Sequence, residues 1–483
     1  MTPSTRPQRE SSEAALGGGV ATLRVPAAGY RTASGASFGA RIAIPVSLGL
    51  LLVVAAIASY CGAALTWDGA SLFFSVLDGQ RFEVPHGRFS VALFELPVLL
   101  AAKLTSQVRI LELVYGATYA CVPLAAAWCC WRIVRTVRPR LILWPLLWIC
   151  LGAMPGQLFF VTECIIAIHC SWPLLLVVGT GFSRRRWLLF LLLCPFLFFL
   201  HPISGPLFVG FSVLGFACAW KKPTGGGQLL AAALLAVLGV LRAVVTWRDA
   251  YERSAVRTPW GPIWRELRLP VTGLLAIVAL VAVIAGIHRL APASRRHALR
   301  IAFGAVGIAA ASFVLWVLDS PRWQNALHYR LMAPIAAVPF FVAASTAILR
   351  DPRARGDLRR GEGWLAMSAA GAYALVLGIQ CVVWFHMRLA LERQLVELPS
   401  CVPVLSLPLC RDSALRWWPT PSYALIIQGR APRRLLLHDG NCLRRDFDRS
   451  LVLTPFPGAR PRDVGWFDLR KIGLAPALGV SAP

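Results

Sequence analysis

The sequence predicts an all-α polytopic membrane bundle of about eleven transmembrane helices, followed by a small outer α+β domain at the C-terminus. Three observations carry that expectation. Of 483 residues, 57% are hydrophobic and 15% charged, where a soluble domain averages about 25% charged; mean hydropathy is +0.63. Apolar runs of membrane-spanning length recur from Ile42 to Phe385. The basic residues gather in short clusters between those runs, as the positive-inside bias requires.

Residues 1–41 are polar and arginine-bearing, contain the run Gly17-Gly18-Gly19, and read as a disordered cytoplasmic arm with no cleavable signal peptide. The first span is Ile42–Trp67. Ile110–Trp131, Leu141–Met154, Ile165–Thr180, Trp187–Leu200, Ile203–Trp220, Leu229–Trp247, Leu269–Ile287, Ile301–Leu318, Leu331–Leu349 and Trp364–Phe385 follow, so the membrane domain covers 42–386. The stretch Phe89–Leu104 is apolar but short, and Glu95 and Pro97 interrupt it. Were it to cross, every later arginine cluster would lie outside, against the bias. It is therefore expected to lie in the outer interface, with the N-terminus inside and the C-terminus outside.

Three outward segments then remain: the loop 67–109, the loop Arg248–Arg268, and residues 387–483. The last opens with an amphipathic stretch, Met387–Leu398, and continues with predicted strands at Tyr423–Gly429, Arg433–His438 and Ser450–Pro455. Most of the 13 cysteines lie in apolar runs, where a thiol acts as a small hydrophobe. Cys401, Cys410 and Cys442 lie in the outer domain. Two of them suit a disulfide in an oxidising compartment, and spacing does not say which two.

The net charge of +26, from 49 basic against 23 acidic residues, is accounted for by the inner clusters. No basic stripe interleaved with aromatics points to nucleic acid. No inverted hydropathy symmetry is visible, and the spans hold few ionisable groups besides Arg242 and some histidines. Both observations weigh against a multi-pass transporter or flippase, the main alternative class. A non-catalytic envelope-assembly protein is the other.

Chemistry concentrates on the outward side. Asp68 follows the first span directly, at the depth where a base or metal ligand meets a lipid-borne substrate. Behind it come Asp78, Arg81, Glu83, His86 and Arg88. Carboxylates there can take a hydroxyl proton or hold a divalent cation, and arginines can clamp phosphate oxygens; the plainer role is a solvated surface loop. Glu163 begins a span otherwise holding only His169 as an ionisable residue, and His201 opens the hairpin His201-Pro202-Ile203-Ser204. In the later outer loops, arginines including Arg253, Arg257 and Arg330 stand against the charge bias, which suits phosphate binding or interfacial anchoring.

The first span leading into Trp67-Asp68-Gly69, the interfacial Phe89–Leu104 and the outer C-terminal domain together resemble the GT-C superfamily of integral-membrane glycosyltransferases. The resemblance implies a donor sugar on a polyprenyl phosphate and a lipid, glycan or protein acceptor, in a bacterial plasma membrane. It implies Asp68 as general base, with Glu163 or His201 orienting the acceptor or holding Mg or Mn. Asp68 is followed by Gly69 where a paired-acid metal site would have a second acid.

Overall fold

The computed structural model describes residues 42–153, 158, 160–221, 226–257, 333–350, 358, 360–399, 401–411, 413, 415, 419–437 and 465–469. The N-terminal arm, the spans expected at Leu269–Ile287 and Ile301–Leu318, Arg330, Cys442 and the strand expected at Ser450–Pro455 lie outside the described residues.

Each expected span within them falls on helix. The series begins with α1 (Ile44–Tyr60), α2 (Asp68–Gly79), α3 (Ala92–Leu104), α4 (Val108–Ala120), α5 (Val122–Val134) and α6 (Leu143–Leu147). It continues with α7 (Glu163–Thr180), α8 (Arg184–Phe198), α9 (Ser204–Trp220), α10 (Gly226–Arg248) and α11 (Ala250–Arg257). After the undescribed stretch come α12 (Ala333–Arg350) and α13 (Arg360–Glu397). Among the described residues, five helical stretches are long and apolar enough to cross a bilayer: Val108–Val134, α7, α10, α12 and α13. The shorter apolar helices are α1, Pro139–Gly152 and α9. This is a membrane protein by the length and apolarity of its helices.

Helix α7 is the centre of the bundle. Nearly all of its residues from Cys164 to Gly179 are buried, and α5, α8, α9 and α12 pack around it. Helices α8 and α10 instead show Leu188, Leu191, Leu192, Val237, Val240 and Val244 at the surface. A continuous apolar exterior of this kind is suited to hydrocarbon and not to water.

The two ends of the bundle differ in charge. At one, Arg138 donates to the Ile348 carbonyl (3.0 Å), Lys221 to the Leu349 carbonyl (2.9 Å), Arg186 to the Gly181 and Ile133 carbonyls (3.0 and 2.9 Å), and Arg140 pairs with Glu362. These cations satisfy carbonyls that helix C-termini leave without intrahelical partners. Clusters far apart in sequence thus share one basic end. The other end, about 27 Å away along α7 at 1.5 Å per residue, carries Glu163 and the acids described below.

The segment between α1 and α4 begins and ends at that second end. Arg109, at the start of α4, donates to the Tyr60 carbonyl at the finish of α1. The segment that holds α2 and α3 therefore leaves and returns at one end of the bundle. The sequence reading of residues 67–88 as a loop is corrected. Asp68–Gly79 is a helix buried along most of its length, because Leu72, Phe73, Phe74, Val76 and Leu77 fill the core while Asp68 occupies the N-terminal turn favoured for an acid.

Helix α13 runs unbroken through position 387 to Glu397, and its far part belongs to the acidic end: Trp384 Nε1 donates to the Gly62 carbonyl at 3.2 Å. Beyond it, β1 (Cys401–Pro403) pairs in parallel with β2 (Leu435–Leu437), so the strand expected at Arg433–His438 is present in shortened form. A short helix α14 (Pro408–Arg411) and α15 (Thr420–Ile427) lie between. The strand expected at Tyr423–Gly429 is corrected to helix α15. Pro421 in its first turn favours helix initiation, and a fully apolar run of this length carries no period to separate the two states. Cys401 is disulfide-bonded, and Cys410 keeps a buried free thiol.

Candidate functional site

The turn before α2 fixes how Asp68 is presented. After α1 the chain reverses at Gly62 (φ +68°), makes a short 3-10 turn over Ala63–Leu65, and enters α2 through Trp67, whose φ of 54° and ψ of −136° are unusual for a residue with a side chain. Such backbone costs about 1–3 kcal/mol and persists where its surroundings enforce it. Here Gly69 does so: a Cβ on it would lie 1.8 Å from the Ala64 carbonyl oxygen and 3.1 Å from Val161. Tyr115 Oη donates to the Gly69 carbonyl (3.3 Å), and Thr66 Oγ1 bonds the Leu158 carbonyl. The turn that carries Asp68 is therefore clamped against the strip of chain that leads into Glu163. Asp68 itself is partly exposed at the head of α2.

Glu163 opens α7, where the helix dipole favours its charge. Facing it is Arg88, whose Nη1 lies 3.3 Å from Glu163 Oε2. The same guanidinium donates through Nε and Nη2 to Glu252 Oε1 at 3.0 and 2.8 Å. Arg88 and Glu252 are both buried. Burial works against the Arg88 charge, but the carboxylates of Glu163 and Glu252 outweigh it and raise its pKa. A buried arginine shared by two acids from α7 and α11 is strongly destabilised if either partner is lost.

Around this triad stand further polar groups. The His86 ring stacks on Tyr251 at 3.9 Å, and its Nδ1 lies 3.8 Å from Asp249 Oδ2. Asp249 Oδ1 in turn accepts the Glu252 backbone N–H (2.9 Å) at the start of α11. Glu95, on the inward face of α3, accepts the Glu83 backbone N–H at 2.8 Å. Burial raises the Glu83 carboxyl pKa in spite of nearby Arg81. The outward face of α3, with Phe89, Leu93, Leu96, Leu100 and Leu104, is exposed and apolar. Helix α3 is thus greasy outside and acidic inside, an orientation that suits a membrane boundary.

Arg242, on α10, is buried with its stem against Gly205 and its guanidinium 5.7 Å from the centre of the Phe198 ring. Its Nε has no hydrogen-bond partner, and it makes no ion pair among the described residues. An arginine so close to a helix end ordinarily extends its charge into solvent; this one is 3% exposed.

The remaining sequence candidates divide. His201 Nδ1 accepts the Ile203 N–H (3.2 Å), as expected of a residue shaping the turn into α9. That hairpin lies against the site, since the Phe199 carbonyl accepts the Ser90 N–H (3.3 Å), two residues from Arg88. Asp78 faces away: Oδ1 accepts the Phe467 N–H at 3.3 Å. Arg81 is more than half exposed and reaches Glu83 at 3.5 Å, and Arg253 Nη1 contacts the Trp247 carbonyl (3.4 Å) at the surface. Arg257 belongs to α11. Glu252, Glu95 and Arg242 carry weight that sequence reasoning did not give them, although Glu95 had been visible as an acid breaking an apolar run. Among the described residues no group of three His, Cys, Asp or Glu side chains forms a metal-holding set.

No protein-family model, curated protein or solved structure matches the chain. Its chemistry has to be argued from the site alone. What that site offers is a partly exposed carboxylate on a clamped turn, a buried arginine–carboxylate triad, and a buried guanidinium that feels the charges of Glu252 and Asp249 but makes no ion pair among the described residues.

Proposed function

We propose that this protein is a membrane glycosyltransferase that moves a sugar from a polyprenyl-phosphate donor to an envelope lipid, glycan or protein. The observation that carries the reading is Arg242, a buried guanidinium with no ion pair among the described residues, on a helix whose outer side is apolar. An unpaired buried cation costs several kcal/mol, and an anion arriving from the bilayer offsets that cost. A phosphate on a polyprenyl chain partitions to this depth.

In this reading Asp68 takes the proton of an acceptor hydroxyl. The acceptor oxygen attacks the anomeric carbon, the bond from that carbon to the phosphate oxygen breaks, and polyprenyl phosphate leaves as an anion held by Arg242. The Arg88–Glu163–Glu252 triad fixes the floor of the site, and the His201 hairpin borders it. The acidic end then faces outward, the basic end lies in the cytoplasm, and the membrane is a bacterial plasma membrane. A divalent cation, Mg or Mn, has no ready-made ligand set among the described residues and takes no part in these steps.

The test is mass spectrometry of lipid-linked and envelope glycans from a deletion strain, complemented with wild type or Asp68→Asn at matched protein levels. One sugar is expected to vanish on deletion, to return with wild type, and to stay absent with Asp68→Asn. Full restoration by Asp68→Asn would overturn the assignment of the base.

A further inference from the structure

Glu95 is the one carboxyl of the cluster that is fully buried and makes no ion pair among the described residues. Its two oxygens differ. Oε2 is occupied by the Glu83 N–H, whereas Oε1 is inaccessible and has no hydrogen-bond partner among the described residues. A buried carboxyl oxygen left in this state forfeits about 1–3 kcal/mol, and buried polar atoms without partners mark strain, catalysis or the seat of an absent group. Backbone strain does not account for it: left-handed backbone is absent from α3, where Pro97 interrupts the helix hydrogen bonding but not the helix itself.

The surroundings say what kind of group is missing. The ionisable side chains within electrostatic reach of Glu95 are Glu83 on the preceding loop, Glu163 on α7, and Tyr115 and Tyr119 on α4. Burial first, and then the negative charges of Glu83 and Glu163, push the Glu95 pKa up to about 8 against the opposing effect of the Glu83 N–H. A group in this position keeps its proton at neutral pH, so Oε1 can present either an O–H or a lone pair. Two more buried polar atoms nearby have no hydrogen-bond partner among the described residues: Tyr119 Oη on α4, and Thr162 Oγ1 beside Glu163. Thr162 and Glu95 come from different elements and both flank the Arg88–Glu163 pair. A metal cation is a poor match for a protonated carboxyl, and a phosphate is repelled by the neighbouring carboxylates of Glu83 and Glu163. A neutral group rich in hydroxyls, each able to donate and accept, fits these atoms.

We propose that Glu95 binds the glycosyl part of the lipid-linked donor through Oε1, accepting from or donating to a ring hydroxyl. This rests on the transferase reading above and adds to it the residue that distinguishes a sugar-bearing lipid from a bare one. Glu95 is thus a substrate-binding group on the inner face of the same helix whose outer face meets lipid.

The experiment measures binding to the full-length protein in nanodiscs, with a polyprenyl-phosphate hexose and the same polyprenyl phosphate lacking sugar as probes. Wild type is expected to bind the sugar-bearing lipid about tenfold more tightly than the bare one, the worth of a good hydrogen bond to a buried group. Glu95→Ala should erase that preference and leave the affinity for bare lipid unchanged. Glu95→Gln, which keeps one donor and one acceptor without charge, should restore most of it. If Glu95→Gln restores the preference, the assignment holds even where the alanine variant folds poorly. Equal losses for both lipids in both variants, or an unaltered preference in both, overturn it and leave the transferase reading standing. If wild type binds neither lipid, both fall together.

Discussion

Arg388 Nη1 donates to Glu112 Oε2 at 2.5 Å, joining α13 to α4 across 276 positions of sequence. Glu112 is fully buried; it also takes Arg109 Nη1 at 2.9 Å, and Arg388 takes Glu392 at 2.7 Å. Removing one partner of such a pair leaves a buried charge and costs about 3–5 kcal/mol. Glu112→Gln or Arg388→Met should each lower the unfolding midpoint of the protein in nanodiscs by that equivalent. The double variant should lose less than the sum. Additive losses would show that the two residues do not act on one another.

Gly69 sets the angle at which Asp68 enters the site. Gly69→Ala forces a Cβ onto the Ala64 carbonyl, an overpacking that costs about 1–3 kcal/mol. The expected result is a stable, correctly inserted protein with transfer reduced about as much as in Asp68→Asn, roughly a hundredfold or more as for loss of a general base. Wild-type glycan levels from Gly69→Ala would show that the turn does not need its present geometry.

The Glu95 carboxyl gives stability a defined pH dependence. Its folded pKa, about 8, exceeds the ordinary value for an unfolded chain, so the folded state binds the proton more tightly. Stability contributed this way is complete below the unfolded pKa, about 4.3, and declines as pH rises through the folded value. Melting temperatures of wild type should fall more steeply between pH 5 and 9 than those of Glu95→Gln, on a scale set by about 1.4 kcal/mol per pH unit. Parallel curves for the two proteins would place the proton elsewhere.

Arg242 separates stability from binding. Without a lipid, replacing this buried guanidinium, which makes no ion pair among the described residues, with an apolar side chain of similar length should be neutral or stabilising by about 1–4 kcal/mol. With polyprenyl phosphate, the same Arg242→Met change should weaken binding by about ten- to a hundredfold, the worth of charge-assisted hydrogen bonds. A variant that is less stable and binds equally well would mean the guanidinium serves the fold alone.

The basic end should be cytoplasmic. A reporter fused after Lys222 is expected to score inside, and one fused after Leu398 outside. Opposite scores would turn the whole site toward the cytoplasm and remove the case for a polyprenyl-linked outer substrate.

What the sequence made legible was set by period and by charge. Long apolar runs located the helices, and the arginine clusters located one end of the bundle, which Arg138, Lys221 and Arg186 then occupy together. Glu95 and Pro97 mark Phe89–Leu104 off from the long apolar runs, and it holds the short helix α3. The rest was hidden for physical reasons. Arg88 and Glu252 are separated by 164 positions, and no local pattern announces a pairing across such a distance. Tyr423–Gly429 was misread because a helix buried from Thr420 to Ile426 shows no amphipathic period. Asp78 resembled its neighbours in the polar stretch, and only the folded chain shows that it serves Phe467.

That last contact bears on the order in which the protein can be completed. Phe467 stacks on Phe74 at 4.8 Å and bonds Asp78, while Gly465 leaves room for the Asp78 carboxyl. The helix carrying Asp68 is therefore finished by residues 389 positions further along the chain. Until they are made, Phe74 lacks its stacking partner and Asp78 the backbone N–H that it accepts.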